Sequence, residues 1–251
     1  MHVGSIARAM ALVGALGLAA AQADAQESSG RGFLFGAPTG NFSLRLGYAG
    51  ANAGSDVFSF VTNELTLRRG DFGAFAYGAD VGFSVAPRFD IVVSADAGGM
   101  EKQSEFRAWQ DNSGNPIEQR TSFSRETYAV SGKYYVLRPG RTLGRLAWVP
   151  SAYAPWVSAG VGRTLYHFNQ NGDFIDFAKG NNVFHDEFKS SQWATTTQLG
   201  AGVDWTLDQR FALTTQAKYL WGTADLQYDY SGFKPIDLSG LSLSAGITVR
   251  F

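Results

Sequence analysis

The side chains with the widest chemical range in this sequence are two of its three histidines, His167 and His185, which lie beyond the first 25 residues with hydroxyls and acids nearby. His167 would be a general base for Ser190 or Ser191 only if the fold brought them together, and their spacing along the chain supplies no such geometry. His185-Asp186-Glu187, with Asp173 and Asp176, offers imidazole and oxygen ligands of the type metals take. That spacing matches no standard metal loop, so these residues are expected to be ordinary surface groups, with no metal and no cofactor. The sequence contains no H-E-x-x-H, G-x-S-x-G, P-loop or dinucleotide fingerprint. Cysteine is absent, which excludes thiol catalysis, thiolate metal sites and disulfides. An enzyme is therefore not expected, and acyl transfer or hydrolysis ranks only third among the readings.

Charge and composition point elsewhere. The 251 residues carry 21 basic and 22 acidic groups, a balance that argues against a nucleic-acid partner. Only 17% of residues are charged while 14% are aromatic and 30 are glycine. Soluble domains carry roughly 25% charge, so much of this surface is expected to avoid water. Residues 1 to 25 have an early Arg8, an uncharged run from Ala9 to Ala21, and Ala23-Asp24-Ala25 as a small-x-small cleavage site. This is the layout of a secretory signal peptide, its apolar run too short to span a bilayer. Residues 26 to 40 are then expected to be a periplasmic N-terminal segment, and 41 to 251 the folded domain.

That domain reads in period two. Leu241, Leu243, Ala245, Ile247, Val249 and Phe251 alternate with Ser242, Ser244, Gly246, Thr248 and Arg250. Similar alternation covers segments around Phe42 to Tyr48, Tyr77 to Val85, Ile91 to Ala97, Tyr128 to Val136, Val157 to Leu165, Trp193 to Trp205 and Phe211 to Trp221. Eight strands are predicted. Opposite the apolar stripe stand Ser, Gly, Thr and Ala rather than the Lys and Glu of a wetted face. Small groups suit the interior of an eight-stranded barrel, so the apolar stripe is assigned to lipid. The fold class is all-β, a closed antiparallel up-and-down transmembrane barrel, with ten strands the alternative if Asp56 to Arg69 adds a hairpin rather than extending its neighbours.

Trp193 and Trp205 share a face twelve residues apart. At about 3.3 Å per residue and a tilt near 45° they lie roughly 28 Å apart along the membrane normal, close to the spacing of two aromatic girdles; Trp221 is assigned to the same belt. Short connections at Ala86 to Arg88 and Leu207 to Arg210 mark the periplasmic end, and residues 50 to 71, 99 to 125, 167 to 192 and 223 to 237 read as long external loops. Arg138 to Ala152 is a long periplasmic exception, an irregular loop that its arginines Arg138, Arg141 and Arg145 could rest on the inner leaflet. By parity Arg45, Asp80, Asp96 and Lys133 point into the lumen from successive strands, pairing Arg45 with Asp80 and Asp96 with Lys133. Asp90, Gln198, Asp204, Gln216, Lys218 and Arg250 join them. Buried charges are costly unless paired, so a lumen-filling network is expected in preference to a conduction path. Phe106, Trp109, Ile117 and Phe123 in one loop, and Phe174, Ile175, Phe177, Phe184 and Phe188 in the next, either pack as an external cap or bind something.

The leader, the eight alternating segments and the closing Gly246-Ile247-Thr248-Val249-Arg250-Phe251 resemble the small bacterial outer-membrane barrels of the OmpA, OmpX and OmpW kind. The resemblance is architectural. It implies residence in the bacterial outer membrane, outer-membrane lipid as surroundings, and recognition of Phe251 by the barrel-assembly machinery. It also implies that the cell-wall tether of full-length OmpA-type proteins is absent. The reading is a non-enzymatic barrel with a plugged lumen, contributing to envelope integrity and meeting an extracellular ligand through its loops. The alternative is a porin-like narrow channel or port for small, apolar molecules.

Overall fold

The computed structural model describes residues 32–111, 113–144, 146–176 and 182–251. The signal-peptide expectation for residues 1 to 25 lies outside them, as do Arg145 and Phe177. In chain order the strands are β1 (Leu34–Phe35), β2 (Gly40–Ala49), β3 (Ala74–Ala86), β4 (Phe89–Gln110), β5 (Pro116–Tyr135), β6 (Gly140–Leu143), β7 (Ala147–Pro150), β8 (Tyr153–Asp176), β9 (Asn182–Thr206), β10 (Phe211–Trp221), β11 (Thr223–Ala224), β12 (Ile236–Asp237) and β13 (Gly240–Arg250). Among the described residues one α-helix, α1 (Asp56–Glu64), lies between β2 and β3.

Eight strands close a barrel in the order β2-β3-β4-β5-β8-β9-β10-β13, with β13 returning to β2 and every pair antiparallel. All eight predicted segments are in it. The ten-strand alternative is not adopted. Parity follows the sequence reading: Leu199 is 54% exposed on the outside while its neighbour Gln198 is 8% exposed and faces in. Leu44, Leu46, Val93, Val130, Val157, Val161, Leu213, Leu243 and Ile247 share the outer surface. Among the described residues no helix is long and apolar enough to cross a membrane.

The long external loops are where expectation and structure part. Residues 99 to 125 and 167 to 192, expected as loops, are mostly strand: β4 and β5 stay paired from Met100↔Phe123 to Glu105↔Glu118, and β8 and β9 from His167↔Ser191 to Asp176↔Asn182. In these extensions the polarity inverts. Glu101, Arg120 and Lys189 are exposed on the outer face, while Phe123, Tyr166 and Phe168 are buried on the inner one. That is the pattern of a sheet with water outside and a core within. Asp56 to Arg69, expected to extend its neighbouring strands or add a hairpin, instead carries α1 (Asp56–Glu64). Val57, Phe58 and Val61 fall on one side of its turns, and that side is buried.

Helix α1 fills the external mouth. The Phe58 ring lies 4.7 Å from Phe72, 5.3 Å from Phe123 and 5.8 Å from Phe168, centroid to centroid. Leu226, Tyr230, Ile236 and Leu238, from the β10–β13 connection with its small β11–β12 pair, complete the core. Phe106 and Phe188 pack against it, so much of the loop aromatic content forms an external cap. At the other end Arg138 to Ala152 is not an irregular loop. It carries the β6–β7 hairpin, and β1 adds to β7 through Leu34↔Trp148 and Phe35↔Ala147 to make a three-stranded sheet.

Placing a charge on the outer wall tests the register. Leu199→Arg is expected to cost about 2 to 4 kcal/mol if the position lies near the bilayer midplane, whereas Gln198→Arg meets a crowded polar lumen. Denaturant titration of barrels folded reversibly in liposomes reads the difference; an unchanged midpoint for Leu199→Arg would place that face out of lipid.

Candidate functional site

The barrel interior is built by pleat: alternate residues of each strand project inward, and the narrow ring brings opposite walls within reach of long side chains. Arg45 sits mid-strand with Gly78 and Gly246 as its register partners. A methyl group at either glycine would meet the Arg45 side chain, so their lack of one makes room for the guanidinium. Arg45 Nε donates to Asp80 Oδ2 at 2.7 Å and Nη2 to Asp80 Oδ1 at 2.6 Å, a bidentate pair. Nη2 also reaches Asp96 Oδ1 at 3.1 Å.

The expected pairing of Asp96 with Lys133 is not formed. Asp96 bonds Lys218, which stands on the opposite side of the barrel. Lys133 Nζ instead donates to Asp204 Oδ2 at 2.9 Å, and lies 4.4 Å from the Trp156 ring centroid and 4.8 Å from that of Tyr135. Reasoning from adjacent strands found the charges but mispaired them, because in so narrow a ring a lysine reaches across the lumen.

Asp204 is bonded on every side. Trp156 Nε1 and Thr214 Oγ1 each donate to its Oδ1 at 2.9 Å, and Tyr135 OH to its Oδ2 at 3.2 Å. Asp90 accepts from Ser84 at 2.8 Å and Asn41 at 3.0 Å, and with Asp204 it shares the single Tyr135 hydroxyl proton, 3.3 Å from its Oδ2. Hydroxyl contacts Ser43–Thr248 at 2.7 Å, Thr214–Thr248 at 2.6 Å and Thr127–Thr164 at 2.9 Å occupy positions between the charges. Gln198 Nε2 donates to Ser131 Oγ at 2.8 Å. The space left at mid-barrel is a cavity of about 40 Å³ lined by Asn41, Arg45, Gln198, Gln216 and Lys218 among others. Arg250 lies nearer the short-turn end, donating to Thr206 Oγ1 at 3.1 Å and Gln209 O at 3.5 Å, with its guanidinium 5.8 Å from the Trp148 ring centroid.

Sequence reasoning missed Arg125 because it fell inside a presumed loop. Its guanidinium donates to Leu238 O at 2.5 Å and Gly50 O at 3.3 Å, joining the two segments that enter the external core. A cavity of about 70 Å³ separates that core from the charged layer below. Lys102 ties the turn at Arg69–Phe72 to β4 through Asp71 at 2.6 Å, and this bond holds the Asp71 carboxyl below the usual carboxylate range. Burial pushes the Tyr230 phenol up, and its hydroxyl donates to Gln170 Oε1 at 2.7 Å.

The fold brings one of the two candidate histidine–serine pairs into register and uses the other serine elsewhere. His167 stands opposite Ser191 in the ladder, while Ser190 Oγ is bonded to Tyr166 OH at 2.7 Å inside the barrel. His185 Nδ1 is 2.9 Å from Asp173 Oδ1, an exposed cross-strand pair. Among the described residues no group of three or more His, Asp or Glu converges as a metal site. Trp193, Trp205 and Trp221 are half-exposed on the outer wall, beside Tyr128, Tyr153 and Tyr219 respectively. Phe251 seals the barrel seam: its N–H donates to Gly40 O at 3.0 Å and its carbonyl accepts from Gly40 N at 3.0 Å and Thr39 N at 2.8 Å.

No protein-family model matches the chain, and no curated protein sequence matches it. Among solved structures it is similar to Neisserial surface protein A, with 14% identity over 86% of this chain and 99% of that one and a TM-score of 0.46. It is also similar to the outer membrane protein OprG from Pseudomonas aeruginosa, with 14% identity, 87% and 99% coverage and a TM-score of 0.45. The N-terminal β-barrel domain of Pseudomonas aeruginosa OprF gives 13%, 85% and 98%, and 0.39. These likenesses concern the fold alone.

The cross-lumen bond separates two neighbouring carboxylates experimentally. Breaking a buried pair typically costs about 3 to 5 kcal/mol, less where water reaches it. Asp80→Ala leaves Arg45 with Asp96, whereas Asp96→Ala strips Lys218 of its partner and Arg45 of its second, so Asp96→Ala is expected to be the more destabilising. A double-mutant cycle of Arg45 and Asp80 should show coupling. Equal unfolding midpoints for the two alanine variants, or strictly additive changes in the cycle, would contradict the network.

Proposed function

We propose that the protein is a non-enzymatic integral barrel of the bacterial outer membrane, with a lumen closed to ions, contributing to envelope integrity and surface contact. The observation that carries this reading is the series arrangement of two fillings: the bonded charge layer from Asp204 to Asp80 and, above it, the apolar core around Phe58. Either alone would obstruct a ring of eight strands. The outward apolar stripe with tryptophans toward its edges favours lipid surroundings, and the signal-like leader favours export. Beyond the membrane the raised hairpins offer Glu101, Arg120, Asn169, Glu187 and Lys189 to an extracellular ligand.

A narrow port for small apolar molecules is the second reading. It is favoured by the cavity beneath the external core, whose lining mixes lumen residues Arg45, Asp96 and Lys218 with Tyr48, Tyr77 and Leu243 of the outer face. Single-channel recording in planar bilayers checks the first reading: no steady conductance is expected from the unaltered protein, and a large steady current would overturn it. Uptake of an apolar dye into liposomes, absent for empty vesicles and abolished by filling the cavity with Ala76→Phe, would favour the port.

Assembly gives a separate expectation. The bonds of Phe251 to Gly40 and Thr39 join the last strand to the first, and the assembly machinery would read the same terminal aromatic. Deleting Phe251 should lower outer-membrane abundance. Normal abundance with unchanged heat-modifiable gel mobility would remove both roles.

A further inference from the structure

The β1–β7–β6 sheet and the barrel mouth enclose a vestibule of about 440 Å³ at the short-turn end. The β5–β8 wall leads into it. Val136 N bonds Pro155 O and Ser151 N bonds Pro139 O, so the wall hairpin continues past a break into β6 and β7. Trp148 and Leu34, register partners on the inner face of this sheet, are buried, and Trp148 meets Arg250.

The charge of the vestibule is unbalanced. Arg138, Arg141 and Arg250 line it, with Asp90 and Asp204 as its acids. Asp204 is neutralised by Lys133 and holds further bonds from Trp156 and Thr214, and Asp90 is satisfied by Ser84, Asn41 and Tyr135. Both acids are buried, whereas Arg138 and Arg141 are exposed. Among the described residues none of the three arginines has a carboxylate within salt-bridge distance. Arg250 is held from behind by Thr206 and Gln209 and flanked by the Trp148 ring, which fixes a guanidinium whose planar donor fork suits oxyanions.

We propose that this vestibule is a binding site for a phosphate group entering from the periplasmic side. Arg250 is the fixed donor at its inner end, Arg138 and Arg141 are the donors at its entrance, and Tyr135 and Thr142 line the wall between. The group comes either from a soluble phosphate compound or from a phospholipid headgroup of the adjoining leaflet. Recognition in both cases is by the same guanidinium forks.

Titration calorimetry of the full chain in zwitterionic detergent, with inorganic pyrophosphate as probe, tests the soluble source. One saturable site is expected, weakened about tenfold or more by Arg138→Gln/Arg141→Gln and by Arg250→Gln, the scale of losing a charge-assisted hydrogen bond. Arg120→Gln, on an external hairpin, should leave it unchanged. The lipid arm is native mass spectrometry after exchange into nanodiscs containing phosphatidylglycerol: retention of one lipid, lost in the same variants, would assign the site to a headgroup. Arg250→Gln alters the last strand and can impair assembly, so the Arg138/Arg141 double variant decides. Absence of binding in both arms, or binding unaffected by that double variant, would overturn the site.

Discussion

Eight strands make a ring so tight that the charges at its centre are held by partners on other strands, some of them across the lumen. The contact between Asp96 and Lys218 expresses that constraint, since it joins opposite walls while Arg45 grips Asp96 and Asp80 from the side. Glycines at 78 and 246 are the other half of the arrangement, yielding the volume that the guanidinium occupies. Desolvating these ions is costly, and only their mutual satisfaction makes the interior tolerable. Side-chain length, charge order and glycine placement on different strands are thus linked by one narrow space.

The same chain solves two solvation problems in succession. Within the membrane its strands face lipid with leucine and valine and keep polar groups inside; a few residues further out, β4, β5, β8 and β9 face water with glutamate and lysine and turn aromatics inward. The hydrogen-bonded ladder is continuous through the change. Backbone pairing is indifferent to which face is apolar, so the inversion requires no break in the strands. It does require something to cover the inward aromatics, and α1 with the β10–β13 connection supplies that cover.

This inversion explains what the sequence disclosed and what it concealed. The alternation from Leu241 to Phe251 and the parity of Leu199 against Gln198 were legible because one solvent faced each side along the whole segment. Residues 99 to 125 were mistaken for loop because their apolar positions move to the other face, which looks like lost periodicity when the membrane phase is assumed throughout. Helix α1 was hidden for a related reason: Phe58 and Phe60, then Leu65 and Leu67, stand two apart as strand residues do and mask the helical spacing of Val57, Phe58 and Val61. The lumen charges were found by parity, but Asp96 with Lys218 could not be read from neighbouring strands, since the partner lies half a circumference away. Arg125 carried no signal at all, its partners being backbone carbonyls of Leu238 and Gly50.

The four prolonged strands are consecutive around the ring, and the four short ones, β10, β13, β2 and β3, are consecutive too. The rim is therefore stepped, high along one semicircle and low along the other. Viewed down its axis the molecule has a front and a back, so its rotation about the membrane normal carries a heading that a level-rimmed cylinder would lack. An approaching body meets either a polar parapet or the low side where the capped mouth is reachable, depending on the bearing from which it arrives.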